Sequence, residues 1–133
     1  MERPAAVPDR QRMGALIMKL RKLTKDDVEI DLQIEEEDSD PGEWFSDPED
    51  VSFARNGVAS GNPWAWFRAI VTVRWHGFEA SNSLGACSYR SEADFRRPGG
   101  YFDDMVAEAL GALDLELEGR FAELCELIEE AAS

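Results

Sequence analysis

The sequence predicts an α+β domain in which a small antiparallel sheet of about three strands packs against an N-terminal helix and a long C-terminal helix. Two observations favour this class: some segments alternate apolar and polar residues, and others repeat apolar residues every three or four positions. The length of 133 residues fits one domain, and 44% hydrophobic residues can form a core without disulfides or metal. We therefore expect residues 1–133 to form a single domain.

Two segments predict the sheet. Residues 28–35, VEIDLQIE, alternate apolar residues with acidic or amide ones, which is typical of a strand with one buried face. Residues 64–89 are rich in aromatic and β-branched residues and predict a β-hairpin with its turn at His76-Gly77. Gly85, in the returning strand, predicts a bulge or a close approach of another group.

The N-terminal part predicts a basic amphipathic helix that begins after Asp9, a candidate N-cap. Its basic positions extend to Lys25, and its apolar positions are Met13, Leu16, Ile17, Leu20 and Leu23. Such a helix can lie on a membrane surface, but packing on the sheet is the commoner outcome and the one we expect. Residues 1–8, which include Pro4 and Pro8, predict a disordered start.

Two further helices are predicted downstream. Residues 47–59 predict a short helix with Asp47 as its N-cap before Pro48. A polar connection over residues 91–100 precedes the long C-terminal helix, whose apolar stripe is Val106, Leu110, Leu113, Leu117, Phe121, Leu124 and Ile128. Gly111 and Gly119 weaken this helix and are candidate points of division. Trp44 and Phe45 are candidate anchors for the loop that follows the first strand.

The net charge of −14 is concentrated in two acidic blocks. Residues 28–50 contain eleven acidic and no basic side chains, and residues 101–133 contain ten acidic side chains against Arg120 alone. A polyanion repels phosphate, so we expect no direct nucleic-acid binding, and its field attracts basic surfaces. The alternative is that excess carboxylates only keep a small protein in solution.

The acidic blocks supply the candidate partner-binding residues. We expect them to contact a basic protein surface, and they are Glu35, Glu36, Glu37, Asp38, Asp40, Glu43, Asp103, Asp104, Glu116 and Glu123.

The residue types needed for catalysis or metal binding are sparse. Cys87, Cys125 and His76 are too few for a structural zinc site, and without a signal peptide we expect both thiols to be reduced. Cys87 and His76 would make a nucleophile pair across the hairpin, but a buried strand cysteine is the better interpretation. Asp103 and Asp104 suit acid–base chemistry, yet carboxylates at a helix start are ordinary. We therefore expect no catalytic residue, metal or cofactor, and no enzyme.

Aromatic residues and arginines occur together between residues 64 and 97. They resemble the ingredients of a platform for single-stranded nucleic acid, but the acidic blocks oppose that use and a core is the simpler interpretation. These arginines are instead candidates for pairing with the acidic blocks. The apolar runs are far shorter than the ~20 residues that span a bilayer, so we expect a soluble, cytoplasmic protein.

Three blocks carry a resemblance: NPWAWF, GFEASNSLGACSY, and SEADFRRPGGYFDDM followed by AEAL. Together they resemble a group of small uncharacterised proteins encoded by bacteriophages, plasmids and integrated mobile elements. The similarity covers roughly residues 55–120. It implies a mobile-element setting in a bacterial host, and it assigns no chemistry to any residue of this chain.

The charge layout and this setting together predict an inhibitor of host defence, of the anti-CRISPR or anti-restriction type. Its acidic surface would occlude a basic nucleic-acid-binding site without turnover. Two alternatives remain open: a structural or assembly protein that forms a homodimer, and a small enzyme that uses carboxylates near Asp103 and Asp104.

Overall fold

A computed structural model describes residues 22–132. The predicted disordered start and nearly all of the predicted N-terminal helix lie outside this range. The prediction is wrong for residues 22–25, which form no helix. The reason lies at Leu23: its backbone N–H donates to Asp114 Oδ1 at 3.2 Å, and its side chain enters the core.

Three antiparallel strands form the sheet, in the order β1 (Glu29–Glu36), β2 (Phe67–Trp75), β3 (Phe78–Cys87). This confirms the predicted α+β class and the small antiparallel sheet. β2 and β3 are joined by His76 and Gly77, whose φ angles of 47° and 83° give the left-handed turn that matches strand twist.

Three helices accompany the sheet: α1 (Pro48–Ala59), the single turn α2 (Glu92–Phe95) and α3 (Tyr101–Ala132). Asp47 caps α1 as predicted, with its carboxylate accepting from the N–H of Glu49 at 2.9 Å. α3 continues through Gly111 and Gly119 without a break, so neither of these candidate points divides the helix. Space is open beside both glycines, and packing of α3 elsewhere outweighs their low propensity.

The core lies between α3 and one face of the sheet. α3 packs across β2 and β3, and the strand residues beneath it are apolar and fully buried, including Ala69, Val71 and Val73. Successive side chains of a strand point to opposite sides of the sheet. The residues between the buried apolar ones therefore lie on the opposite face, and most of them are polar. There Thr72 Oγ1 and Ser81 Oγ form a hydrogen bond of 2.9 Å, and Arg74 Nε donates to Glu79 at 3.1 Å.

Phe95 corrects the prediction that residues 91–100 form only a polar connection. α2 begins after Ser91, which caps it, and delivers Phe95 into the core with 1% of its surface exposed. Its ring lies 5.2 Å from that of Phe67 and 5.0 Å from that of Tyr89. A single aromatic residue among polar neighbours has no periodicity, so the sequence pattern could not reveal this contact.

A pair of phenylalanine variants tests this packing. Phe95→Ala should lower the free energy of unfolding by about 3–5 kcal/mol, because it leaves a cavity among packed rings. Phe53→Ala removes the same atoms from α1, where 42% of the side chain is exposed, and should cost far less. Urea denaturation of both variants provides the measurement, and equal losses would contradict the assignment of Phe95 to the core.

Candidate functional site

Glu37 fixes the loop after β1 against the end of β3. Its Oε1 accepts from the backbone N–H of Ala86 at 2.7 Å, and its Oε2 accepts from the N–H and hydroxyl of Ser39 at 3.1 and 2.7 Å. These hydrogen bonds, with the Ala86 N–H first, lower the pKa of Glu37 below its ordinary value. The charged carboxylate therefore stabilises the contact between the loop and β3.

Ser39 links Glu37 to two tryptophans through hydrogen bonds. Its hydroxyl accepts from Trp44 Nε1 and its carbonyl accepts from Trp66 Nε1, both at 2.8 Å. Phe45 packs edge-on against Trp66, with ring centroids 5.7 Å apart, so it anchors the loop as predicted. Trp44 does not enter the core: 62% of it is exposed, and its ring is oriented by the bond to Ser39.

The end of β3 is irregular where the loop meets it. Phe67 and Ala69 of β2 pair with Cys87 and Leu84, so β3 contains an extra residue at this point. Ala86 adopts a φ of 55°, which a residue with a side chain rarely does. Gly85 is predicted to mark a bulge or a close approach and marks both, since a Cβ there would lie 2.7 Å from Glu37 Oε1.

These features create a groove of about 340 Å³, which we call the aromatic groove. Its walls come from the loop, the bulged end of β3 and the start of α3, and are formed by Trp44, Phe45, Tyr101 and residues 84–89. Tyr101 is 60% exposed, as prominent as Trp44. Large exposed aromatic side chains beside a groove are typical of protein-binding surfaces.

Exposed carboxylates from both acidic blocks are close in sequence to residues that line the aromatic groove. Glu43 precedes Trp44, and Asp104 follows Tyr101 by about one helical turn; both are exposed. Glu36, the last residue of β1, and Asp38, in the loop, are exposed on either side of the anchored Glu37. Glu36 lines a separate cleft with Val58 and Trp66. We call Asp38, Glu43 and Asp104 the acidic rim.

The other predicted partner-binding residues are placed differently. Asp40 caps the turn Pro41–Glu43 and pairs with Arg55, and Asp103 accepts from the Gly99 N–H at 2.8 Å. Glu35 lies on the polar sheet face, opposite Arg68 in β2. Glu116 and Glu123 lie further along α3, each 3.9 Å from the guanidinium of Arg120. The structure therefore does not gather all ten residues into one surface.

A second cleft shares Phe45, Ser88 and Tyr89 with the aromatic groove and is also lined by residues of α1. Phe45, Phe53 and Tyr89 line it together with Glu49, Asp50 and Asp94. Sequence reasoning missed Glu49 and Asp50 as site candidates, because acidic residues in the first turn of a helix are ordinary. The feature of the sequence that could have indicated Glu49 and Asp50 is their position in the acidic block of residues 28–50.

The arginines of the central region pair largely within the chain. Arg74 binds Glu79, Arg96 binds Glu92, and Arg97 approaches Asp94. The Arg96 guanidinium also lies 4.8 Å from the Phe102 ring centroid. Pairing with acidic side chains therefore occurs, although mostly with local carboxylates. The aromatic residues of the supposed stacking platform instead contribute to the core, Trp66 and Phe67 most completely.

Cys87 is a buried strand cysteine, as predicted. Cys87 lies opposite Phe67 in the sheet, whereas His76 lies in the turn at the other end of the hairpin. The two residues are therefore not placed to form a nucleophile pair. Burial raises the pKa of its thiol to about 11. Across residues 22–132, no three histidine, cysteine or acidic side chains are arranged to hold a metal ion. In the same range no helix is both long and apolar enough to cross a membrane.

No protein-family model, curated protein or solved structure matches this chain. The resemblance to mobile-element proteins therefore stays a prediction.

The two thiols should differ sharply in reactivity. Cys87 is buried with a raised pKa, whereas Cys125 is exposed on α3, and the thiolate is the form that reacts. Alkylation at pH 8 should modify one thiol rapidly and the other only after denaturant is added. Peptide mapping should assign the rapid site to Cys125; rapid modification of Cys87 would contradict its burial.

Glu37 should make stability dependent on acid. Glu37→Gln should lower the free energy of unfolding at pH 7 by about 1–2 kcal/mol, because charged hydrogen bonds are lost. The folded pKa is lowered, so this contribution is present above the ordinary glutamate pKa and is lost as the pH falls through the folded value. Denaturation from pH 7 to pH 3 should show the two proteins converging, and the exposed Glu35→Gln serves as control.

Proposed function

We propose that this protein is a non-catalytic inhibitor from a mobile element. It binds a basic surface of a host nucleic-acid-processing defence complex, of the anti-CRISPR or anti-restriction type, and occludes that surface. The observation that carries the proposal is the aromatic groove, to which the two acidic blocks contribute the exposed rings of Trp44 and Tyr101, with the exposed carboxylates of the acidic rim near them in sequence.

The chemistry of the aromatic groove suits arginine-rich partners. A guanidinium stacks on aromatic rings and pairs with carboxylates, and Trp44 and Tyr101 stand exposed beside Glu43 and Asp104. Tryptophan and tyrosine are also the residues that most often dominate binding energy in protein interfaces. A basic surface that normally holds phosphates presents the matching groups.

Charge favours a protein partner over nucleic acid. The net charge of −14 repels phosphate, and Arg74, Arg96 and Arg97, which are the natural phosphate ligands, lie against carboxylates of this chain. The carboxylates of the acidic rim, by contrast, form no ion pair among residues 22–132 that would neutralise them. They can therefore pair with a partner's cations.

The groove is also built in advance of binding. Glu37 and Ser39 hold the loop, Trp66 supports it from the core, and the bulge in β3 is shaped around the Glu37 carboxylate. A preformed site loses less conformational entropy when the partner binds. This supports a role in recognition for a region whose backbone at Ala86 is strained.

Groove variants test the proposal. Immobilised protein should capture a nucleic-acid-dependent complex from a bacterial lysate that expresses CRISPR or restriction systems. Trp44→Ala and Tyr101→Ala should each weaken that binding by about 30-fold, the loss of a hot-spot residue, with little change in thermal stability because both side chains are exposed. The same complex should lose its nucleic acid when the wild-type protein is added.

A charge-matched pair supplies the control. Glu43→Gln should weaken binding and flatten its salt dependence, whereas Glu29→Gln, at the opposite end of β1, removes the same charge and should have little effect. Capture that is insensitive to salt and to all groove variants would overturn the proposal. So would a captured complex that still binds its nucleic acid.

A further inference from the structure

β1 has one edge that pairs with no other strand among residues 22–132. The strand bonds β2 on its inner side in an unbroken register, and the residues Glu29–Glu36 make no further backbone hydrogen bonds within the described part of the chain. β3, the other edge strand, is interrupted by its bulge, where Glu37 accepts from the N–H of Ala86. Bulges protect a sheet edge, whereas a regular edge is a template for a further strand. β1 is therefore the edge that can be extended.

The hairpin turn determines which residues of β1 direct their backbone groups outward. His76 and Gly77 are the two central residues of the turn, so Trp75 and Phe78 form the hydrogen-bonded pair that closes it. Along antiparallel strands such pairs alternate with pairs that are not hydrogen-bonded. Odd-numbered residues of β2 therefore bond β3, and even-numbered residues bond β1. Because the partners of these even-numbered residues are the odd-numbered residues of β1, the outward N–H and C=O groups belong to Ile30, Leu32, Ile34 and Glu36.

A strand added along this edge meets two different faces. The core side of β1 carries the half-buried apolar side chains Ile30, Leu32 and Ile34. The polar side carries the exposed side chains Asp31, Gln33 and Glu35. Because side chains alternate along a strand, the added strand needs apolar residues at every second position and polar residues between them.

Charge restricts which polar residues the edge accepts. Asp31 and Glu35 form no ion pair within residues 22–132, and Asp31 lies opposite Thr72 rather than opposite a basic residue. A second copy of β1 would bring carboxylates against carboxylates, which is destabilising across a sheet. Arginine or lysine at the same positions forms pairs of opposite charge. The edge therefore fits a segment in which basic residues alternate with apolar ones.

A cleft of about 390 Å³ adjoins the last residues of β1. It is lined by Ile34, Glu35 and Glu36 of the strand and by Val58, Pro63 and Trp66. Peptides that extend a sheet gain affinity from main-chain hydrogen bonds and specificity from pockets for alternate side chains. The cleft can hold one large apolar side chain of an added strand.

We propose that the free edge of β1 binds an extended basic segment of a partner protein as an additional antiparallel strand. The main chain of this segment bonds the outward groups of β1, its basic side chains pair with Asp31 and Glu35, and its apolar side chains continue the core side of the sheet. The cleft beside β1 shares no lining residue with the aromatic groove. This inference does not depend on the proposed function.

A short capped peptide that alternates arginine with valine provides the first test. When its valines lie on the core side, the valine amides bond β1 and the arginine amides face away. Calorimetry with the full-length protein should show similar affinity for the unmodified peptide and for one N-methylated at its arginines, and no binding of one N-methylated at its valines. Equal binding of the two methylated peptides would overturn the proposal, because the contact would then need no main-chain hydrogen bonds.

Two isosteric double variants locate the binding surface. Asp31→Asn with Glu35→Gln should weaken binding of the unmodified peptide by about fivefold, because two cross-strand pairs of opposite charge are lost. Asp38→Asn with Glu43→Gln removes the same charges from the acidic rim and should leave the affinity unchanged. Equal weakening in both variants would show general attraction to a polyanion and would contradict binding at β1.

Amide hydrogen exchange followed by NMR tests the geometry. In the free protein the amides of Ile30, Leu32 and Ile34 should exchange faster than those of Asp31 and Gln33, which bond β2, and the peptide should slow the first set. Slow exchange of the first set without peptide would show that the edge is already covered within the chain. Protection that rises with protein concentration alone would assign the edge to a second copy, and either result would overturn the proposal.

Discussion

The packing of α3 on one face of a three-stranded sheet is the constraint on which the rest of the structure depends. Side chains alternate along a strand, so covering one face requires apolar residues at every second position and leaves polar ones opposite. A register slip of one residue would exchange the two faces. The observed register also places Cys87 opposite Phe67, which brings the end of β3 to the loop after β1. The aromatic groove is thus a consequence of how the core closes.

Much of this core could be predicted because it is periodic. Alternation in residues 28–35, the turn at His76-Gly77 and the stripe through Leu113 and Leu117 each reflect a local rule of strand or helix geometry. Phe95 could not be predicted, since one aromatic residue in a polar segment has no period. The aromatic groove could not be predicted either, because it depends on a hydrogen bond between residues 37 and 86, far apart in sequence.

The acidic residues show a second limit of sequence reasoning. The composition gives the number of carboxylates, but it does not reveal which of them accept hydrogen bonds from the backbone in the folded protein. Glu37, Asp40 and Asp103 each accept a backbone N–H, and such residues hold the loop and helix ends in place. Glu43 and Asp104 have the same chemistry and lie in the same blocks, yet their carboxylates accept no hydrogen bond from residues 22–132. Each acidic block therefore contains carboxylates that hold the backbone in place and carboxylates that are available to a partner. Only the three-dimensional structure distinguishes the two roles.

The combination of aromatic groove and acidic rim bears on how the proposed inhibitor would compete with nucleic acid. Nucleic-acid binding weakens steeply as salt rises, because phosphate contacts release counterions. Carboxylates on the rim would speed association with a basic surface but would be screened in the same way. Stacking on Trp44 and Tyr101 buries apolar area and is far less sensitive to salt. A groove that combines carboxylate pairing with aromatic stacking can displace nucleic acid at a salt concentration at which a purely anionic mimic would bind too weakly to compete.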